Sequence, residues 1–259
     1  VGGGYAVGVY RVAGTRSTAL VGERRREYMH NAGSRDQLHP RRPAAIVALQ
    51  ERGRAGMDGL TDPAALRAHY GTVHPLAVRK VLPRLDAHCR HFIALSPFAV
   101  LATSDGSGHV DASPRGDAPG FVAVLDDTTL LLPDRPGNNR VDSYGNIVAH
   151  PGVGLLFFVP GINETLRVNG RARVVTDAEV LTPFAAQNKV PSAGLLIAVE
   201  EVFFHCAKAL MRSHLWDPAS QVERKTFPTL GRIIADQTAA MAAPEADELV
   251  EQGYRNNLY

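Results

Sequence analysis

The stretch Leu131-Leu132-Pro133-Asp134-Arg135-Pro136-Gly137-Asn138-Asn139-Arg140-Val141-Asp142-Ser143 sets the end of an apolar strand against a Pro/Gly turn, two amides and an arginine, and a helical pattern follows at once. This is the outline of an anion site. Free N–H groups at a helix start and a guanidinium fork bind a phosphate together, and amide side chains add neutral donors. The same residues admit a plainer reading, in which Asn138 or Asn139 caps the helix and Arg140 pairs with Asp142 or another surface acid. Spacing alone leaves both open.

On either side of this stretch the apolar period is that of strands. Short runs bounded by turn residues occupy Phe98 to Thr103, Val110 to Pro114, Phe121 to Leu125, Thr129 to Leu132, Val153 to Val159, Leu166 to Val175 and Leu195 to Phe204. So many runs at such spacing predict a fold that is mainly β with flanking helices, a barrel or a sandwich. Ser104-Asp105-Gly106-Ser107-Gly108 and Asp126-Asp127 read as hairpin turns, so the first four strands are expected to form an antiparallel meander. Helices are expected at about Arg140 to His150, Asp177 to Gln187 and Leu230 to Ala240, the last before a polar C-terminal stretch. Upstream, a cap at Thr61 or Asp62, Pro63 in the first turn and Gly71 as the stop mark a helix. Val78, Val81, Leu82, Leu85, Cys89, Phe92 and Ile93 then recur at helical spacing, one amphipathic face from Leu76 to Leu95 that Pro83 kinks or divides.

Residues 1–56 differ from the rest of the 259-residue chain. Gly2-Gly3-Gly4, Arg24-Arg25-Arg26 and His39-Pro40-Arg41-Arg42-Pro43 interrupt every apolar period, which predicts a disordered, Arg-rich extension. Met57 precedes the first capped helix and reads as a start, with residues 57–259 as the folded domain and residues 1–56 dispensable to it. The segment holds ten arginines against four acids, so the +2 of the whole chain leaves the body with 18 basic and 22 acidic residues. A mildly acidic body argues against nucleic-acid binding, which needs a basic folded surface. The apolar runs are too short to span a bilayer, and two cysteines with no Cys-x-x-Cys support neither a disulfide framework nor a cysteine zinc cluster. A cytoplasmic protein with no membrane partner is the simplest expectation.

Several motifs are missing: no Gly-Lys pair for a phosphate loop, no Gly-x-Ser-x-Gly and no His-Glu-x-x-His. His88, Cys89 and His91, with His205, Cys206 and His214, are the conceivable metal ligands, yet a lone cysteine is more often core, so no metal is expected. Tyr144 and Trp216 are likewise more often core than cofactor contacts.

From about Arg79 to Gln237 the chain resembles the pyridoxamine 5'-phosphate oxidase-like FMN-binding split-barrel family. The carriers form an ordered set: Ser113-Pro114-Arg115-Gly116-Asp117, Pro133 to Arg140 as quoted above, Asn146-Ile147 with His150-Pro151-Gly152-Val153-Gly154-Leu155-Leu156-Phe157, Leu166-Arg167-Val168-Asn169-Gly170 and His205-Cys206-Ala207-Lys208-Ala209. The resemblance implies a six-stranded split β-barrel that forms a homodimer, with FMN at the subunit interface. It implies that Val110, Asp111, Ala112 and Ser113 line the isoalloxazine through backbone groups. Asn139 and Arg140 would hold the phosphate where the oxidases commonly carry Arg-Lys, and Arg115 stands where they place a lysine. Thr165 aligns with a flavin-contacting glutamine, and Arg167 faces the same side of its strand. Arg115 and Arg167 would face the negative charge of the reduced flavin. Lys208, Arg212 and Trp216 are the groups expected to be delivered to the cleft from the later chain, although surface charges and a core indole would read the same. They replace the C-terminal motif of the vitamin oxidases, which puts pyridoxamine phosphate in doubt as the substrate.

The function that follows is an FMN-dependent oxidoreductase acting on a small molecule, with no side chain singled out as catalytic. The alternative is a non-catalytic flavin, deazaflavin or haem binding protein on the same barrel, with His205 as the candidate haem ligand.

Overall fold

A computed structural model describes residues 59–259; the extension of residues 1–56 and the start at Met57 lie outside the described residues. The chain divides after Gly71 into two units. In the first, α1 (Pro63–Tyr70) forms as its signals predict: the Asp62 carboxylate accepts from Ala65 N at 2.9 Å, and Gly71 at φ 72° ends the helix. None of its residues is buried.

The second unit is built on one antiparallel sheet: β1 (Phe98–Ser104), β2 (Val110–Gly116), β3 (Ala123–Val124), β4 (Thr129–Pro133), β5 (Gly152–Phe158), β6 (Thr165–Val175) and β7 (Gly194–His205). The spatial order is β2-β1-β5-β6-β7-β4-β3. All seven runs expected from the sequence are strands, but they do not begin as a meander. The hairpins β1–β2 and β3–β4 lie at opposite edges, and β5, β6 and β7 fill the space between. The reason lies in the link after β2, which turns back onto the start of β1 through Asp117 N to Pro97 O and Gly120 N to Ser96 O, both 3.1 Å. β4 then finds β7 as its partner, Leu131 opposite Leu196.

Alternation sorts the faces. Ala99, Leu101 and Thr103 of β1, Val153, Leu155 and Phe157 of β5, and Val168 and Ala172 of β6 point inward and are buried. Among the described residues no ladder joins β2 to β3, so the barrel stays open along one seam. This is the split barrel with one short strand more than the six expected.

The amphipathic stretch from Leu76 to Leu95, expected to be kinked or divided at Pro83, is divided into two helices, α2 (Pro75–Arg79) and α3 (Ala87–Leu95). Leu82 between them exchanges both backbone bonds with Val202 at 2.9 Å, and Pro83 has no N–H to continue a helix. Val78, expected on the apolar face, is 60% exposed, whereas Cys89, Phe92 and Ile93 of α3 enter the core. Burial, with Asp86 adding to it, pushes the Cys89 thiol up to about 11. It is therefore an inert core group.

The remaining helices are α4 (Asp142–Ala149), α5 (Ala178–Leu181, continued by a 3-10 turn at Thr182–Phe184), α6 (Lys208–Ser213), α7 (Leu230–Thr238) and α8 (Ala243–Asn256). The stretch read as a polar C-terminus is α8, whose sparse apolar residues had hidden its period. Among the described residues no helix is long and apolar enough to cross a membrane.

Ser96 pins the α3–β1 turn to the end of β5: its hydroxyl lies 2.8 Å from Phe98 O and 2.7 Å from Phe158 O, fully buried. Ser96→Ala is expected to cost about 1–2 kcal/mol, the value of a buried hydrogen bond whose acceptors stay behind. Urea unfolding measures this, and a change below about 0.3 kcal/mol would show the hydroxyl to be idle.

Candidate functional site

A cleft of about 610 Å³ opens along the seam of the barrel. Its walls are the free edge of β2, the end of β4, the loop that follows β4, and the start of α4. Because β2 is an edge strand, one row of its backbone N–H and C=O groups has no ladder partner. Asp111, Ser113 and Arg115 alternate toward the inner side and are half-buried, while Val110 is 82% exposed and takes no part in the wall.

Two ion pairs bridge the seam. Arg115 Nη1 lies 3.4 Å from Asp134 Oδ1, and Arg135 Nε lies 2.6 Å from Asp117 Oδ2. The Arg115 guanidinium also faces the Tyr144 ring at 5.8 Å. Its Nε and the Tyr144 hydroxyl are both buried without a hydrogen-bond partner. Burial pushes the Tyr144 phenol well up, helped by the charge of Asp134, so the hydroxyl is a neutral donor. Beside it, the Ser143 hydroxyl donates to Asp111 Oδ2 at 2.5 Å and ties α4 to β2.

The loop from Asp134 to Val141 does what neither sequence reading fully described. Neither asparagine caps α4: Asn138 Oδ1 accepts from Arg140 N at 3.1 Å, and Val141, left-handed at φ 51°, precedes the helix without a side-chain cap. Asn139 is also left-handed, at φ 55°. The first-turn N–H groups of α4 are thus left for water or a ligand. Arg140, 72% exposed, pairs with Asp142 at 2.7 Å as the plainer reading had it. Three arginines and three aspartates line the cleft, so its formal charge is balanced.

The expected site residues fall in two places. Asp111, Ala112, Ser113, Arg115, Asn139 and Arg140 meet in the cleft. Thr165, Lys208 and Arg212 line a separate groove of about 470 Å³ beside Leu156, Phe158 and His205, side chains that alternate outward from the core. Arg167 lies on that outer face with its guanidinium 4.3 Å from the Phe203 ring centroid, 3.9 Å from Glu201, and with Nε buried and unpartnered. Trp216 donates from Nε1 to Ile162 O at 2.9 Å. Tyr144, read from sequence as core, is the wall residue that reading missed; the signal was its position one turn into the helix that opens at the cleft.

Desolvation, Arg167 and Lys80 together lower the His205 pKa and favour its neutral imidazole. Among the described residues no group of three potential ligands could hold a metal ion, and the six histidines and cysteines considered from sequence do not converge.

Asp117 anchors the seam and is almost fully buried. Burial pushes its pKa up, but the bonds from Arg135, Tyr259 and Ala118 N outweigh that and hold it below the usual carboxylate range. Its stabilising contribution is fully present above the unfolded-state value of about 3.9 and is lost as pH falls through the lower folded value. Acid unfolding of Asp117→Asn should accordingly show a shallower pH slope below pH about 4 than the native chain; equal slopes would refute this.

Residues 85–206 match the family described as pyridoxamine 5'-phosphate oxidase. No curated protein matches. Among solved structures, a putative pyridoxamine 5'-phosphate oxidase from Lactobacillus delbrueckii is 25% identical over 47% of this chain and 95% of its own, with a TM-score of 0.38. HupZ of Group A Streptococcus is 19% identical over 46% of this chain and 93% of its own, TM-score 0.37. An FMN-binding protein from Syntrophomonas wolfei is 12% identical over 55% and 96%, TM-score 0.36. The matched span runs from the end of the α2–α3 link to the end of β7 and so contains the whole sheet, its open seam and the cleft in it. Through this span, a little under half of its length, the chain is similar to the pyridoxamine 5'-phosphate oxidase family.

Proposed function

We propose that the protein binds FMN in the seam cleft and acts as an FMN-dependent oxidoreductase on a small molecule, working as a homodimer. The observation that carries the reading is the pair of buried, unpartnered groups at the cleft, Arg115 Nε and the Tyr144 hydroxyl, beside an uncapped helix start. Orphaned polar groups of this kind cost free energy unless a ligand completes them. A cleft of this volume lies within the usual range for cofactor sites.

When bound, the flavin supplies the redox chemistry. The chain's own groups then bind and orient. The unpaired edge of β2 offers backbone donors and acceptors, Arg115 places positive charge where negative charge develops, and Tyr144 donates a hydrogen bond from its neutral hydroxyl. Arg140 and the first turn of α4 would hold the phosphate. For this Arg140 exchanges Asp142, and the magnitudes favour the exchange: an exposed pair is worth about 0–1 kcal/mol, a bond to a charged phosphate about 1.5–3.

The division of the expected residues between two faces supports a homodimer. Arg167 lies on the outer sheet face with Val100, Leu156 and Phe158, and Lys208 and Arg212 of α6 border the groove beside it, a half-exposed apolar surface that a second copy would cover. Sedimentation at micromolar concentration should give twice the chain mass, and a monomer that still holds flavin would remove the shared site.

The absorption spectrum of the purified protein tests the cofactor. Flavin bands, with a shift toward the reduced form on anaerobic addition of NADH or NADPH, are the expected result. A Soret band would instead favour haem binding near His205, and a protein that takes up neither flavin nor haem on reconstitution would overturn the reading.

A further inference from the structure

One contact at the seam comes from far along the chain. Tyr259, which follows α8 by three residues, donates its hydroxyl to Asp117 Oδ1 at 2.8 Å, while Arg135 Nε holds the other oxygen of that carboxylate at 2.6 Å. The Arg135 guanidinium lies 5.8 Å from the Tyr259 ring centroid and bonds to Phe184 O at 3.0 Å. Lys189 Nζ donates to the Tyr259 carbonyl oxygen. Asp117 immediately follows β2 and Arg135 sits just past β4, so the carboxylate that Tyr259 engages is the one that ties together the two sides of the seam.

The loop from Asp134 to Asn139 has the cleft on one side and a smaller cavity of about 320 Å³ on the other. Tyr259 lines the smaller cavity and Leu258 stands at the rim of the cleft. The phenol therefore buttresses the loop from behind. With the β-branched Val141 left-handed at φ 51°, the segment that ends the loop holds a conformation its own residue does not favour and needs outside contacts to keep it.

We propose that Tyr259 is a positioning residue for the cleft, acting through Asp117 and Arg135 to hold the β4–α4 loop in the geometry that binds ligand. In respect of FMN this rests on the function proposed above; the mechanical part does not. The hydroxyl matters more than the ring, because it joins Ala118 N on the Asp117 oxygen that Arg135 does not hold and so links that carboxylate to the C-terminal stretch.

Hydrogen–deuterium exchange and FMN dissociation, followed by flavin fluorescence, test this in Tyr259→Phe and Tyr259→Ala. In Tyr259→Ala, amides of residues 134–141 should exchange about fivefold to tenfold faster while those of β5, β6 and β7 keep their protection. FMN should leave about three to ten times faster in Tyr259→Ala, and Tyr259→Phe, which lacks the hydroxyl and keeps the ring, should show most of that increase. An unchanged loop in Tyr259→Ala overturns the proposal. So does a looser loop with unaltered FMN dissociation, since the buttress would then not reach the cleft. Faster exchange across the whole sheet would also overturn it, by making Tyr259 a general stabiliser. If the native protein takes up no FMN, the function proposed above fails, and a loop-confined rise in exchange still upholds the positioning role.

Discussion

Gly170→Ala is expected to destabilise the barrel by about 3 kcal/mol or more, a large part of the 5–15 kcal/mol that holds a typical domain together. A Cβ on Gly170 would lie 2.0 Å from Ala198 O, 3.0 Å from the Ala198 carbonyl carbon and 3.3 Å from Val199 Cα. All three are backbone atoms of β7, so no rotamer change relieves the clash. The site is the register shift of the β6–β7 ladder, where Asn169 faces Glu201 and Gly170 faces Val199, leaving Glu200 as the extra residue. That bulge lets both Val199 and Val202 turn inward, which strict alternation would forbid. Flattening it would drive a glutamate toward the core. Guanidinium unfolding measures the loss. Gly145→Ala is the control: it lies inside α4 with no atom within 4 Å of the added Cβ and should stabilise by about 0.5–1 kcal/mol. Equal, small changes in both variants would show that the close approach at Gly170 does not exist.

Arg140→Ala is expected to weaken FMN about tenfold to a hundredfold while leaving riboflavin, which has no phosphate, almost unchanged; this is the worth of one bond to a charged group. The fold should survive, because Arg140 is exposed and its pair with Asp142 contributes little. Arg115→Ala makes the contrast. It removes a half-buried guanidinium from Asp134 and from the Tyr144 ring, so it should weaken FMN and riboflavin alike and lower the unfolding midpoint as well. Calorimetric titration with both ligands separates the two outcomes. If Arg140→Ala lowered both affinities equally, or neither, Arg140 would be only the surface partner of Asp142.

The cleft was legible in part because its components are local. Pro133 to Arg140 announces a turn before a helix, and the period-two pattern of Val110 to Gly116 places Asp111, Ser113 and Arg115 on one side of a strand. What the pattern could not carry is who stands opposite. Arg115 finds Asp134 nineteen positions away, Arg135 finds Asp117, and Tyr259 reaches Asp117 across 142 positions. Residue types say that such groups want partners; only the closed chain says which.

The same boundary divides the fold. Strand positions, the cap at Asp62 and the break at Pro83 depend on neighbours a few residues apart, and the sequence alone determined them. The strand order, the bulge at Gly170 and the separation of Thr165, Lys208 and Arg212 from the seam were decided by tertiary structure. Each requires distant segments to compete for the same edge or the same core volume, and that competition is settled by packing the whole chain at once rather than by any local period.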